Sequence, residues 1–204
     1  MKTKYYIALL IYALLSVASQ YGSGMLIPLE FIMAGLFLPI SCFTIIPLLD
    51  CARSFTQHEG EQANVVQKSI YQDLLGIPFV ISLAACAFAG LPLTIFIGAI
   101  VATNVGGWVD ISIFKFMRRF SEVPTKRMAV SNFCATVIGS MAFYLIAFTQ
   151  LVPTVLGMAG YEFVNVLAQP SVTGVMLSAL LQAAVIWCCA IPFSIVISWV
   201  KSNF

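Results

Sequence analysis

Nine polar or ionisable side chains interrupt otherwise apolar runs: Gln20, Glu30, Asp50, Asn104, Asp110, Ser131, Asn132, Glu162 and Gln182. Four are carboxylates, four are carboxamides and one is a hydroxyl. In hydrocarbon each must find a partner, because an unsatisfied polar group there costs several kcal/mol. Such groups face a bundle interior or a water-filled cavity. Their chemistry is recognition by hydrogen bonding, and a carboxamide suits a planar heterocycle with adjacent donors and acceptors. Catalysis is not expected. His58 is the only histidine, and the chain carries no HExxH, no GxSxG and no serine–histidine pairing. With no second ligand near His58, no metal is expected, and no cofactor.

Each candidate has a structural reading beside the functional one. Asp110, in "GGWVDISIFKFMRRF" (106–120), either pairs with Lys115 or Arg118 at the membrane surface or belongs to a binding site. Asp50 has Arg53 as its local partner. Asn104 and Gln182 fall in the middle third of their runs and either bond across helices or contact a ligand. Gly98, Gly106 and Gly107 allow a backbone or a flat ligand to come close. Trp108 is an interface anchor or a stacking face. Pro39 and Pro47 break a run in a way that is common in membrane helices and also exposes backbone groups where transporters bind substrate.

These residues sit in a chain of 204 residues that is 61% hydrophobic and 9% charged, with mean hydropathy +1.00. Soluble domains carry about 25% charged residues, so the expected solvent is a lipid bilayer. A net charge of +2 excludes a nucleic-acid signature. The six cysteines contain no CxxC pair and are expected to be small buried hydrophobes. The start, "MKTKYYIALLIYALLSVASQ", has the look of a signal peptide, but the number of later runs favours a retained first helix. Six runs approach the ~20 residues a spanning helix needs: roughly 5–22, 31–50, 74–90, 91–114, 128–149 and 171–199. Gly90 and Pro92 mark a tight turn, Pro192 a kink, and 151–170 an outer loop with an interfacial helix. With six spans, all ten Lys and Arg residues fall on one side, as the positive-inside rule requires. The expected fold is therefore all-α and polytopic, a single domain over 1–204, with both termini cytoplasmic. The stretch 53–73 is expected to be a solvated cytoplasmic loop.

Particular residues are similar to the motifs of two families. "LLDCARSFTQHEG" echoes the D-G-x-x-A-R motif of CDP-alcohol phosphatidyltransferases, but that motif needs Asp and Gly where Leu48 and Leu49 stand. Three other blocks together resemble the VUT family, the YhhQ-type queuosine-precursor transporters. In "PLEFIMAGLFLPISCFTIIPLLDCARSFTQHEG", Asp50 and Gly60 match; in "GAIVATNVGGWVDISIFKFMRR", Asp110, Phe114, Arg118 and Arg119 match; in "RMAVSNFCATVIGSMAFYLIAF", Ser131, Asn132, Phe143 and Phe148 match. Gly139 departs from the acidic residue common in the family's fifth span, and Glu30 or Glu162 would have to take its place. The resemblance implies a six-helix fold like the substrate-binding subunits of energy-coupling-factor transporters, set in a bacterial inner membrane. It implies import of a 7-deazaguanine such as preQ0 or preQ1. Asp110 and Asn132, with Ser131, would bond the guanine-like edge, Asn104 and Gln182 would line the path, and Trp108 would stack. Asp50 with Arg53 would form a gate or brace. The partners expected are the bilayer, a planar heterocycle and further copies of the chain. Two alternatives stand beside it: a vitamin-binding subunit docking on an ATP-driven module through "SLAACAFAG", and a structural or assembly membrane protein.

Overall fold

The computed structural model describes residues 2–23, 25–28, 37–89, 92–161, 164, 165, 168 and 171–203. Seven α-helices run in order: α1 Lys2–Ser23, α2 Ile45–Gln62, α3 Gln67–Ala89, α4 Leu93–Met117, α5 Pro124–Ala147, α6 Leu151–Met158 and α7 Val172–Asn203. A two-stranded antiparallel ribbon of β1 (Leu26–Pro28) and β2 (Phe37–Pro39) separates α1 from α2. Among the described residues, α1, α4, α5 and α7 are long and apolar enough to cross a membrane. The chain is thus an all-α multi-pass membrane protein. Exposed Tyr6, Ile7, Leu10 and Leu14 along one side of α1 are the surface expected toward lipid.

Local sequence explains the boundaries. Pro92 caps α4 and Pro124 opens α5, positions where a missing N–H costs nothing. Pro192 lies inside α7. The turn expected at Gly90 lies outside the described residues, as do Glu30 and Glu162.

Two expectations need correction. The run 31–50 is not one spanning helix in its described part. Residues 37–39 are extended, a 3-10 turn covers Ile40–Phe43, and α2 begins only at Ile45. Pro39 supplies no N–H and is confined to extended backbone, and Pro47 is tolerated because it falls in the first turn of α2. Nor is 53–73 a solvated loop. α2 continues to Gln62 and buries Arg53, Ser54, Thr56, Gln57, His58 and Glu59. α2 touches α1, α3, α4, α5 and α7, and Gln62 alone of its residues is exposed. Composition alone suggested solvent. What overrides it is internal pairing of the polar groups, described below.

Packing follows three apolar clusters, the smallest made by Leu38, Cys42 and Ile186. Tyr5, Tyr12, Leu49, Ile70, Leu74 and Ile111 join α1 through α4, and Ile95, Ala99, Phe143, Tyr144, Phe148 and Val175 join α4, α5 and α7. α4 and α5 meet through glycine. A Cβ on Gly106 would stand 3.2 Å from the Ala135 carbonyl oxygen and 3.4 Å from the Gly139 Cα. Because backbone cannot yield as a side chain can, Gly106→Val is expected to cost about 1–3 kcal/mol. Thermal unfolding in detergent reads this, with Gly76→Ala as control. Nothing lies within 4 Å of a Cβ on Gly76, so that change should be neutral or stabilising by up to about 1 kcal/mol. Equal melting of the two variants would contradict the close crossing.

Contacts also place the element ends. Tyr5 Oη donates to Asp73 Oδ2 at 2.7 Å, joining the start of α1 to α3. Arg127, at the start of α5, pairs with Glu61 at 3.0 Å near the end of α2 and donates from Nε to the Phe114 carbonyl of α4 at 3.1 Å. Its guanidinium lies 3.9 Å from the centre of the Phe114 ring. These ends, with Lys4, Lys68, Lys115, Arg118, Arg119 and Lys126 close to them in sequence, form one basic end of the bundle.

Candidate ligand cavity

α2 carries a buried ionic cluster. Arg53 pairs with Asp50 one turn earlier on its own helix. Its Nε donates to Asp110 Oδ2 of α4 at 2.8 Å. All three residues are buried, Asp110 completely. Helix geometry explains why Asp110 turns inward. At about 100° per residue, Asp110 shares a face with Gly106 and Gly107, and Gly107 faces Arg53 Nη1. Lys115 lies about 140° away around α4 by the same count. The aspartate therefore faces α2 rather than the basic end.

The cluster extends into α5. The Ser54 hydroxyl lies 3.2 Å from both Asp110 Oδ2 and Asn132 Oδ1. It has one hydrogen to give. An amide's two ends are alike in shape and are assigned from the network. As placed, Asn132 Nδ2 points to Cys51 Sγ at 4.0 Å, and the Ser54 hydrogen is shared between the Asp110 carboxylate and the Asn132 carbonyl. Gln57 Nε2 donates to the Ile111 carbonyl at 3.2 Å and Cys51 Sγ to the Ala190 carbonyl at 3.5 Å. α2 is held by polar bonds on several sides.

Above the cluster lies a cavity. It contains about 590 Å³ of empty space with its open mouth included, of which water centres can occupy about 70 Å³. Asp50 and Arg53 form its charged floor, α4 and α5 contribute Thr103, Gly106, Gly139, Ser140 and Phe143, and α7 contributes Gln182 and Ile186. Two buried polar atoms of this wall, Ser140 Oγ and Gln182 Oε1, have no hydrogen-bond partner among the described residues. In an apolar interior such atoms call for a ligand or water. With Arg53 in the same lining, the wall offers donors, acceptors and the aromatic Phe143 to a small polar molecule. Asp50, Asp110 and Arg53 together carry a formal charge of −1 when both carboxylates are ionised. Among the described residues no group of three potential metal ligands occurs.

The expected site residues divide. Asp50, Arg53 and Gln182 line the cavity. Asp110 and Asn132 lie behind its floor, tied to Arg53 and Ser54. Asn104 Nδ2 donates to the Ile100 carbonyl of its own helix at 2.9 Å, and Ser131 Oγ to the Met128 carbonyl at 3.3 Å. Neither reaches the cavity. Trp108 is 58% exposed, because one residue past Gly107 the helix has turned outward; its place is the lipid surface, not a stacking wall. Glu30 lies outside the described residues. Ser140 and Thr136 went unnoticed in the sequence. The signal was there, since Asn132, Thr136 and Ser140 repeat at helical spacing and mark one polar stripe. Asn165 was also missed: Nδ2 donates to the Ala147 and Thr149 carbonyls at 3.0 and 2.8 Å, tying the segment after α6 to the end of α5.

No protein-family model matches the chain, and no curated protein or solved structure matches it either.

Proposed function

We propose that this protein is a membrane transporter that takes a small planar heterocycle into the cavity above Asp50 and Arg53. The observation that carries this is the cavity wall itself: a charged floor, two buried polar atoms without hydrogen-bond partners among the described residues, and an aromatic side chain, set between helices. A purely structural membrane protein gains nothing from burying Gln182 Oε1 and Ser140 Oγ without partners among the described residues, at about 1–3 kcal/mol for each unsatisfied group. The substrate we propose is a 7-deazaguanine such as preQ0 or preQ1, which rests on the resemblance of three sequence blocks to the VUT family. The chemistry is compatible. Ring and exocyclic N–H donors of a guanine-like edge suit Asp50 and Gln182 Oε1, its carbonyl suits Arg53, and its π-face suits Phe143. Asp110, Ser54 and Asn132 are positioning residues that hold Arg53, and Asp50 with Arg53 is both floor and brace.

In this reading the chain crosses a bacterial inner membrane six times, with α2 and α3 completing the set of α1, α4, α5 and α7. Both termini are cytoplasmic. Support comes from the basic end, where contacts bring together the start of α1, the α2–α3 turn and the α4–α5 turn. The test is complementation. Cells unable to make preQ0 are given the chain and external preQ0 or preQ1, and queuosine in transfer RNA is measured. Queuosine should appear only with both chain and precursor; its absence despite membrane expression overturns the substrate.

A further inference from the structure

Where the last turn of α4 meets the α2–α3 turn, a second concave site opens at the basic end. It contains about 780 Å³, its open mouth included, and is lined by Glu61, Gln67, Ser112, Lys115, Phe116, Arg118 and Arg119. Lys115, Arg118 and Arg119 are exposed, and no ion pair ties any of them among the described residues. Glu61, the one carboxylate in the lining, is committed to Arg127 at 3.0 Å. Gln67 Nε2 is buried and has no acceptor among the described residues. Three cations with no carboxylate partner among the described residues, Arg119 lying 5.9 Å over the centre of the Phe116 ring, and an orphaned donor around one hollow want an anion rich in acceptor oxygens. Depth narrows the choice. α4 is one of the helices able to cross a membrane, so its last turn lies at headgroup level. Phe116 and Phe120, 51% and 70% exposed, pack together with ring centres 5.2 Å apart and present an aromatic anchor beside the hollow.

We infer that this hollow binds the phosphodiester headgroup of an acidic phospholipid, with the Phe116–Phe120 pair against its acyl chains. The inference rests on the chain's place in the membrane and not on transport. The test uses the full chain purified in neutral detergent, with dioleoylphosphatidylglycerol or dioleoylphosphatidylcholine added and retained lipid counted by native mass spectrometry. The wild type should retain the acidic lipid preferentially. A basic side chain near a headgroup is worth about fivefold in affinity, so the triple change Lys115→Gln, Arg118→Gln, Arg119→Gln should weaken retention about 100-fold. Lys126→Gln removes a charge from the same end but not from the hollow and should leave retention unchanged. Gln67→Leu keeps every charge and should still lower retention. Equal retention of both lipids, or an unchanged preference in the triple variant, overturns the site. Displacement by inorganic phosphate as readily as by lipid would reassign it to a free anion. Because retention is read without uptake, failure of the proposed transport leaves this result standing.

Discussion

Replacing Arg53 with methionine is expected to destabilise the bundle by about 3–5 kcal/mol, the usual cost of removing one partner from a buried ion pair. Here the loss exposes two carboxylates, Asp50 and Asp110, to each other with no cation between them. Thermal unfolding in detergent should show a lower, broader transition and a smaller monodisperse fraction. The triple variant Asp50→Leu, Arg53→Met, Asp110→Leu should recover most of that stability, since well-packed apolar groups of similar volume replace buried ion pairs at little cost. Its uptake should nonetheless stay at background, because the charged floor is gone. That separation matters. If the cluster only braced the helices, the triple variant would be stable and active together. If Arg53→Met alone melted like the wild type, Arg53 would not lie buried between the two aspartates.

Ser140→Leu should have the opposite signature, a protein that folds and does not transport. Ser140 is buried, its hydroxyl has no partner among the described residues and its side chain borders the cavity. Leucine grows into empty space there, so stability should move by no more than about 1 kcal/mol. A ligand competing with that side chain meets an overpacked wall at about 1–3 kcal/mol, equivalent to roughly 10- to 100-fold weaker binding. Initial uptake at subsaturating substrate should fall by that factor. Ser140→Ala, which removes a hydroxyl and leaves the space open, should fall by less. Normal uptake by the leucine variant would mean that solute takes another route.

The residues that sequence placed well were those governed by short-range rules. Helix extents along α1, α4, α5 and α7 follow from apolar length, and the breaks at Pro39 and Pro92 follow from proline's missing donor. The ionic nature of Asp50 and Arg53 was also legible, since they sit one turn apart. What failed was the stretch after Arg53. A run of Ser, Thr, Gln, His and Glu looks like solvated loop by composition, and only long-range partners make its burial tolerable: Asp110 for Arg53, Asn132 for Ser54, Ile111 for Gln57, Arg127 for Glu61. Those pairings span 54 to 78 positions, beyond the reach of any local pattern. For Asp110 nearby Lys115 was misleading, because nearness in sequence at five positions is near-opposition on a helix. For Trp108 the same turn of the helix sends the ring outward. The cavity wall of Gly139, Ser140 and Phe143 needed the crossing of α4 and α5 before it could be seen as a wall.

The space above Asp50 and Arg53 is the binding site we propose for a planar heterocycle. Equilibrium binding of radiolabelled preQ0 to the purified chain, compared with Ser140→Leu at matched folded fraction, tests it most directly. The wild type should bind saturably at one site per chain, and the variant about 10- to 100-fold more weakly. No saturable binding by the wild type, or identical binding by both, would contradict it.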